Sequence, residues 1–290
     1  MNHPQDLIKL IRPMQWIKSG FVFTGFLFSN QQNNLSFFLT VLLAAIAFSF
    51  ASSCIYVVND ILDSESDRHH PKKKNRPLAA NRVSIPCAII VSIVMGLLAV
   101  AVALLASYKV LIIIFIYALL NLAYSFYLKH VVILDVFCIA AGFMLRILAG
   151  TTGVGLPPSK WLLLCGLMIT LFLGFAKRRA EIIALSENKQ DHRKVLENYG
   201  PVFLDETIAI CATGVIITYS LYTMSSETIR IHQTDNLIYT VPFVIYAIFR
   251  YIFLLHHRNS GGDPTRDLLK DPHIIASVLC WLSVTLYLVS

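Results

Sequence analysis

Runs of apolar residues separated by short polar stretches organise the chain. Nine of them, at about 17–29, 39–58, 85–106, 110–127, 132–150, 161–176, 202–223, 238–255 and 274–289, approach the ~20 residues that carry a helix across hydrocarbon. The pattern predicts an all-α polytopic membrane bundle of about nine transmembrane helices, with residues 1–290 forming a single transmembrane domain. The first run is the least regular, because Phe21 to Phe28 is interrupted by Gly25 and follows the polar Gln15 and Lys18. Met1 to Ser19 carries no apolar segment of the kind that precedes a signal-peptide cleavage site.

Composition agrees with the pattern. Hydrophobic residues make up 56% of the 290 and charged residues 14%, against roughly a quarter charged in a soluble domain. The basic residues then set the orientation. Of the 24 Lys and Arg, Arg146 falls inside a run, Lys109, Lys160 and Arg230 fall in loops on one side, and the remaining 20 lie on the other. Positive charge marks the cytoplasmic side, so the N-terminus and the large loops are expected in the cytoplasm and the protein in the plasma membrane. The net charge of +7 is dispersed among loops without interleaved aromatic residues, which argues against a nucleic-acid partner and for anionic headgroups or an anionic substrate. The six cysteines form no Cys-x-x-Cys pair and read as small apolar residues.

The densest polar sequence follows the second run: Asn59-Asp60-Ile61-Leu62-Asp63-Ser64-Glu65-Ser66-Asp67. At ~100° per residue, positions 60, 63 and 67 of a helix fall within an arc of about 60°. Three carboxylates on one face repel one another unless a cation stands between them. Magnesium, which takes a few carboxylate oxygens and completes its shell with water and phosphate, would remove that cost. A solvated acidic helix end is the simpler alternative. The cations that follow, Lys72, Lys73, Lys74 and Arg76, suit a metal–diphosphate complex, whose remaining negative charge Arg can bind in a bidentate fork. A loop that is basic for topological reasons would explain their charge but not their place beside three aligned acids.

The sequence Asn59-Asp60-x-x-Asp63-x-x-x-Asp67, followed by His70-Pro71-x-Lys73-x-x-Arg76-Pro77, resembles the first aspartate-rich motif of the UbiA superfamily of intramembrane prenyltransferases. The resemblance implies nine helices around a cavity, with magnesium and the donor diphosphate at its cytoplasmic mouth. Further segments look like the decaprenyl-phosphate phosphoribosyltransferase branch: Arg12-Pro13-x-Gln15-Trp16-x-Lys18, Tyr124-Ser125-x-x-Leu128-Lys129-His130, Asp135 through Ala140-Ala141-Gly142-Phe143-x-Leu145-Arg146, Lys177-Arg178-x-Ala180-Glu181 and Gly261-Gly262-x-Pro264. Similarity to that branch implies transfer of a phosphoribosyl group from 5-phosphoribosyl 1-diphosphate to a polyprenyl phosphate, by the protein alone or as a homo-oligomer, for cell-envelope synthesis. It implies Asp60, Asp63 and Asp67 as catalytic metal ligands, and Asn59, Lys73, Arg76, Lys177, Arg178, Glu181, Lys18, Lys129 and Arg146 as substrate-binding residues.

The loop after the sixth run departs from the aromatic prenyltransferases, which carry a second aspartate-rich motif there. Here it opens Lys177-Arg178-Arg179-Ala180-Glu181, and Glu187, Asp191 and Glu197 do not form a D-x-x-x-D pattern. Fixed cations suit a donor that carries a 5-phosphate as well as a diphosphate; a stop-transfer cluster would account for the charge equally well. Arg146 sits in an otherwise apolar run, where a charge costs at least ~2.5 kcal/mol and faces a cavity or a partner. It reads as a contact for the lipid phosphate or as half of a buried ion pair. Two other functions compete: prenyl transfer from a polyprenyl diphosphate to an aromatic acceptor such as 4-hydroxybenzoate, and a non-catalytic lipid transporter or scaffold, which leaves the aligned acids unexplained.

The charge distribution makes a topological prediction. Cysteine labels introduced near Lys73, Asn188 and Gly262 should react from the cytoplasm, and labels near Gln32 and Thr234 from outside. Labelling of Lys73 and Thr234 from the same side would overturn the nine-span arrangement.

Overall fold

The computed structural model describes residues 3–31, 33–69, 73–186, 199–257 and 270–289, and every regular element among them is helical. His70, Pro71, Lys72, Glu187, Asp191, Glu197, the Gly261-Gly262-x-Pro264 segment and the label positions Gln32 and Asn188 lie outside the described residues. In chain order the helices are α1 (Pro4–Ile11), α2 (Thr24–Leu27), α3 (Leu35–Leu62), α4 (Ser64–His69), α5 (Ile85–Ala106), α6 (Tyr108–Phe126), α7 (Leu134–Ala149), α8 (Lys160–Ser186), α9 (Pro201–Met224), α10 (Ser226–His232), α11 (Val241–His257) and α12 (Pro272–Val289).

Among the described residues, eight helical segments are long and apolar enough to cross a membrane, and they coincide with the second to ninth runs of the sequence. The first run folds differently, as an 11-residue 3-10 helix, Pro13–Phe23, that leads directly into α2. Eleven residues at ~2.0 Å and four at ~1.5 Å reach about 28 Å, close to the ~30 Å of a hydrocarbon core. The tighter helix thus gains length that so short a segment would lack as α-helix.

The chain groups into two compact units. The first comprises Met1–Phe26, Asn33–Phe126 and Leu145–Pro157. Its central element is α3, whose first turn is capped by the Asn34 side chain accepting from the Phe37 N–H at 3.1 Å. Helices in lipid gain no hydrophobic drive from meeting one another and associate through close packing of small residues. In α3 these are Ala44, Ala47, Ala51 and Ser52, and α5, which packs on it, offers Ala88, Ser92, Ala99 and Ala103, all buried. The outward side chains Ile90, Ile93 and Leu97 of α5 and Ile112, Phe115 and Leu119 of α6 are exposed, an apolar surface suited to lipid and out of place in water. The 3-10 segment is fastened to α3 by two polar bonds, Ser49 to Ser19 at 2.9 Å and Trp16 Nε1 to Ser53 Oγ at 2.9 Å, and the end of α1 by a third, from Ser53 Oγ to the Ile11 carbonyl at 2.7 Å.

Gly25, the residue that interrupts the first apolar run, has a packing role. A Cβ built there would fall on Thr151 and the Gly150 carbonyl, and one built at Gly150 would fall on the Val22 carbonyl. The 3-10 segment and the end of α7 therefore meet backbone to backbone, which only glycine permits.

The second unit comprises Leu27–Gln32, Tyr127–Met144 and Pro158–Ser290. Within it α8 packs along α9, and α11 along α12. Its core joins Val136 and Ala140 of α7 to Phe172 and Ala176 of α8, Leu204 and Ile208 of α9, and Tyr251 and Leu254 of α11. A smaller aromatic cluster sets Phe28 edge-on to Tyr222 and Trp281, while the Trp281 indole donates to Tyr219 Oη at 2.7 Å.

Gly150→Ala should lower stability by about 1–3 kcal/mol through overpacking, whereas Gly20→Ala, where an added Cβ meets nothing within 4 Å, should leave it unchanged. Thermal unfolding of the two purified variants checks the contrast. Equal melting temperatures would show that the close approach at Gly150 is not needed.

Candidate functional site

In the first unit α3 ends at Leu62, and Asp63 takes up the cap position with φ −91° and ψ 1°. The i→i−4 bonding nevertheless runs on through the break, from the Asp63 N–H to the Asn59 carbonyl at 2.9 Å and from the Asp67 N–H to the Asp63 carbonyl at 2.8 Å. Continuity of that ladder keeps Asp60 and Asp67 on one side. Both are 2% exposed, and Asp63 is half-buried. The chain then returns through a short 3-10 turn, Lys73–Asn75, which delivers Arg76. Its Nη1 donates to Asp60 Oδ1 at 3.1 Å and to Asp67 Oδ2 at 2.5 Å.

Two more cations close the cluster. Arg12 Nη2 donates to Asp60 Oδ1 at 2.5 Å, with its guanidinium 5.1 Å from the Tyr56 ring centre. Lys73 Nζ lies 3.6 Å from Asp67 Oδ1. Arg12 adopts a left-handed conformation, φ 53°, which costs a non-glycine residue energy and persists only where its surroundings fix it. The bond to Asp60 is such a constraint. Beside the acids, Asn59 Oδ1 accepts from Ser125 Oγ at 2.7 Å. The structure thus gathers Asp60 and Asp67, whose shared face the spacing predicts, with Lys73 and Arg76, sets Asn59 next to Asp60 and half-buried Asp63 on the turn between the two acids, and adds Arg12.

The residues fit a divalent ion in their chemistry. Carboxylate and amide oxygens are the hard ligands that magnesium takes, and a cationic nitrogen already stands between Asp60 and Asp67. Among the described residues no three of His, Cys, Asp and Glu are gathered so as to hold a metal ion directly. The guanidiniums occupy the space between the acids.

The second unit contains a separate buried ion cluster. Asp135, in the first turn of α7, is fully buried. It accepts from Arg178 Nε at 2.6 Å and from Tyr199 Oη at 2.7 Å, while Tyr199 Oη accepts from the Ile133 N–H at 2.5 Å. Arg178 also donates through Nη1 to Glu181 Oε2 at 2.5 Å, one helical turn on, and Lys177 Nζ lies 4.0 Å from Glu181 Oε1. Burial first, and then the bond to Asp135, push the Tyr199 phenol above its usual range, which keeps it neutral and donating. Ile133 sits at φ 69°, a strained conformation for a β-branched residue. Arg178 is 1% exposed, while Lys177 and Glu181 are half-buried. Arg179 bonds Asp205 and the Leu255 carbonyl, joining α8 to α9 and α11. Lys129 is half-buried in the 3-10 turn Leu128–His130. Neither Asp135 nor Tyr199 belongs to a local acid–base pattern in the sequence, so sequence reasoning assigns no site role to either.

Arg146 is 4% exposed. Its Nη2 donates to Ser52 Oγ at 2.7 Å and to Tyr117 Oη at 3.1 Å, and its guanidinium faces the rings of Tyr117 and Phe48 at 4.7 and 5.4 Å. Ser52 lies two turns before Asp60 on α3, about 12 Å deeper along the helix. Lys18 is half-buried in the 3-10 segment.

The architecture has known counterparts. A UbiA homolog from Archaeoglobus fulgidus bound to GPP and Mg2+ superposes with a TM-score of 0.72 over 98% of this chain and 99% of that one, at 18% sequence identity. Several sequence relatives bear the name decaprenyl-phosphate phosphoribosyltransferase. That of Corynebacterium glutamicum is 33% identical over 97% of this chain and 86% of its own length, and that of Mycolicibacterium smegmatis is 32% identical over 97% and 91%. The model of the UbiA prenyltransferase family matches residues 19–268. The chain is a multi-pass integral membrane protein belonging to the UbiA prenyltransferase family.

Proposed function

We propose that this protein transfers a 5-phosphoribosyl group from 5-phosphoribosyl 1-diphosphate to a polyprenyl phosphate of decaprenyl type, releasing pyrophosphate. The observation that carries the reading is the cluster in which Arg76 bridges Asp60 and Asp67, with Arg12 and Lys73 beside them. Oxygen ligands for a hard cation and guanidinium forks for phosphate stand together there. The choice of donor and acceptor rests on the relatives named for this reaction, which align with nearly the whole chain. The cytoplasmic side of the plasma membrane follows from the excess of basic residues in the loops that flank the cluster.

In this reading Asp60, Asp63 and Asp67 would hold magnesium, which when bound neutralises charge on the departing pyrophosphate, and Asn59 would bind the substrate beside them. Arg76, Arg12 and Lys73 bind the diphosphate oxygens and keep the anomeric carbon oriented towards the acceptor. Lys177, Lys18 and Lys129 are proposed as further phosphate contacts, Glu181 as the acid that positions Lys177, Arg178 as the residue that fixes Glu181, and Arg146 as a contact nearer the lipid. The acceptor is a phosphate monoester whose second pKa is ~6, so its oxygen is already ionised near neutral pH and needs no strong base. Catalysis is then positioning and charge stabilisation.

A donor swap tests the assignment. Purified protein with magnesium should release pyrophosphate and label polyprenyl phosphate when given 5-phosphoribosyl 1-diphosphate, and should not prenylate 4-hydroxybenzoate from polyprenyl diphosphate. The reverse result would overturn the phosphoribosyl reading. Asp60→Asn and Asp63→Asn should each lower turnover by about 10²-fold or more with the fold intact, and full activity in either variant would remove that residue from the site.

The basic turn of the second unit needs two variants. Arg178→Ala leaves Asp135 buried without its guanidinium and should cost about 3–5 kcal/mol of stability. Donor binding is therefore read in Lys177→Ala, whose apparent KM for 5-phosphoribosyl 1-diphosphate should rise while the lipid KM moves less. Unchanged donor kinetics would exclude this turn from the donor site.

A further inference from the structure

The charge count of the acidic cluster says more than which groups bind phosphate. Asp60 and Asp67 bring two negative charges paired with the three positive ones of Arg12, Lys73 and Arg76, and Asp63, half-buried on the turn between the two acids, brings a third. The cluster is balanced as it stands. A bare divalent ion would leave it at +2 in a partly buried setting, where unscreened charge is expensive. A divalent ion carrying an ester diphosphate brings a smaller net charge, of negative sign, which the guanidinium groups beside the acids can meet directly. Geometry gives the same direction, since a single Arg76 nitrogen lies within 3.1 Å of Asp60 and 2.5 Å of Asp67, and Arg12 takes the same Asp60 oxygen at 2.5 Å. One oxygen of Asp60 and one of Asp67, facing each other across the cluster where a metal would bridge them, are already engaged by guanidinium.

We propose that Arg76 and Arg12 are resident counter-cations of Asp60 and Asp67, transferred from carboxylate to phosphate oxygens when the donor binds. A divalent ion then enters the site together with a diphosphate and is excluded without one. The proposal rests on the reading of this cluster as a metal–diphosphate site, and it is independent of which group the diphosphate carries.

Both guanidiniums are suited to the exchange. Each is about a quarter exposed while the acids beneath are 3% exposed, so the arginines can swing outward and the carboxylates cannot. Arginine binds carboxylate and phosphate with the same planar fork, so its bonds to Asp60 and Asp67 are replaced by equivalent ones to the diphosphate. The exchange has a use. Without a donor the acids stay neutralised and in place, and the full set of metal ligands is assembled only when there is a leaving group to stabilise.

The test is binding of Mn2+ to the full chain in zwitterionic nanodiscs, followed by the paramagnetic resonance signal of the free ion, with and without inorganic diphosphate. In wild type, protein-bound Mn2+ should be weak alone and tighten about tenfold or more with diphosphate, in excess of binding by diphosphate in protein-free discs. Arg76→Gln should bind Mn2+ alone several-fold more tightly than wild type and lose most of the enhancement. Arg12→Gln should change in the same direction by less, because Arg76 still holds the same Asp60 oxygen and the bridge to Asp67, and it provides the readout if Arg76→Gln does not fold. Arg68→Gln, an exposed arginine that bonds Asn81, should behave as wild type.

The proposal is overturned if the folded Arg76 or Arg12 variant binds bare Mn2+ no more tightly than wild type, or if Arg68→Gln tightens it equally, which would make the effect one of general charge. It is overturned as well if wild type binds bare Mn2+ as well as it does with diphosphate. Inorganic diphosphate carries no ribose, so a failed phosphoribosyl assignment in the donor swap would leave this measurement standing.

Discussion

A carboxylate withdrawn from water at the end of a membrane helix needs a cation within hydrogen-bonding distance, and Arg76 meets that need for two carboxylates at once. Much of the first unit is arranged around this demand. The turn at Lys73–Asn75 directs Arg76 back at α3 and α4, and the loop that follows is tied to its neighbours by Arg82, which reaches Asp6 of α1 at 3.3 Å and the Asn75 carbonyl at 2.6 Å. At the far end of α1, Arg12 takes a left-handed conformation and bonds Asp60. A lysine at position 76 could not reproduce the bridge with the same fixed geometry, since its ammonium is a compact, strongly hydrated charge on a flexible stem.

The second unit answers the same constraint with a more enclosed solution. Asp135 is completely buried, and its two oxygens are satisfied by Arg178 and Tyr199 from opposite ends of a long stretch of sequence. Two acceptor oxygens with dedicated donors, one charged and one neutral, cost less than a buried ion pair alone, because each oxygen has a hydrogen-bond donor. The strained Ile133 stands two residues before Asp135 and donates its N–H to the same Tyr199 hydroxyl. Its conformation is thus held by the bonds that hold the acid, and the turn before α7 and the start of α9 are tied through one phenol.

The long helices and the acid face were legible in the sequence because both depend on local regularities, apolar length and a period of ~3.6 residues. The first segment was harder to read. Gly25 lowers the apolar signal for a reason that becomes visible only when Gly150, far along the chain, lies against it. The alignment of Asp60 and Asp67 could be computed from spacing, but not the fact that Arg12, 48 residues earlier, would share Asp60. Periodicity tells which face a residue occupies and is silent about what comes to meet that face. Asp135 and Arg178, 43 residues apart, fall in the same class. Arg146 shows the same division: its burial could be foreseen from the cost of a charge in lipid, whereas its hydroxyl and aromatic partners, Ser52, Tyr117 and Phe48, come from two other helices.

A fold that binds a prenyl diphosphate in one relative and is proposed here to use a ribosyl diphosphate is consistent in its chemistry. In both cases a carbon–oxygen bond to diphosphate breaks, and the carbon left behind, allylic in one and anomeric in the other, is stabilised as a cation by delocalisation. What the protein has to supply for that step is the same: a place where pyrophosphate is more stable than the ester it came from. In the proposed reaction the cluster of Asp60, Asp67, Arg12, Lys73 and Arg76 serves the leaving group, and no role in contacting the transferred group is assigned to it. Specificity for that group therefore belongs to other side chains. A reaction can change within such a family while the acidic cluster stays fixed, provided that the residues around the carbon and the acceptor change with it.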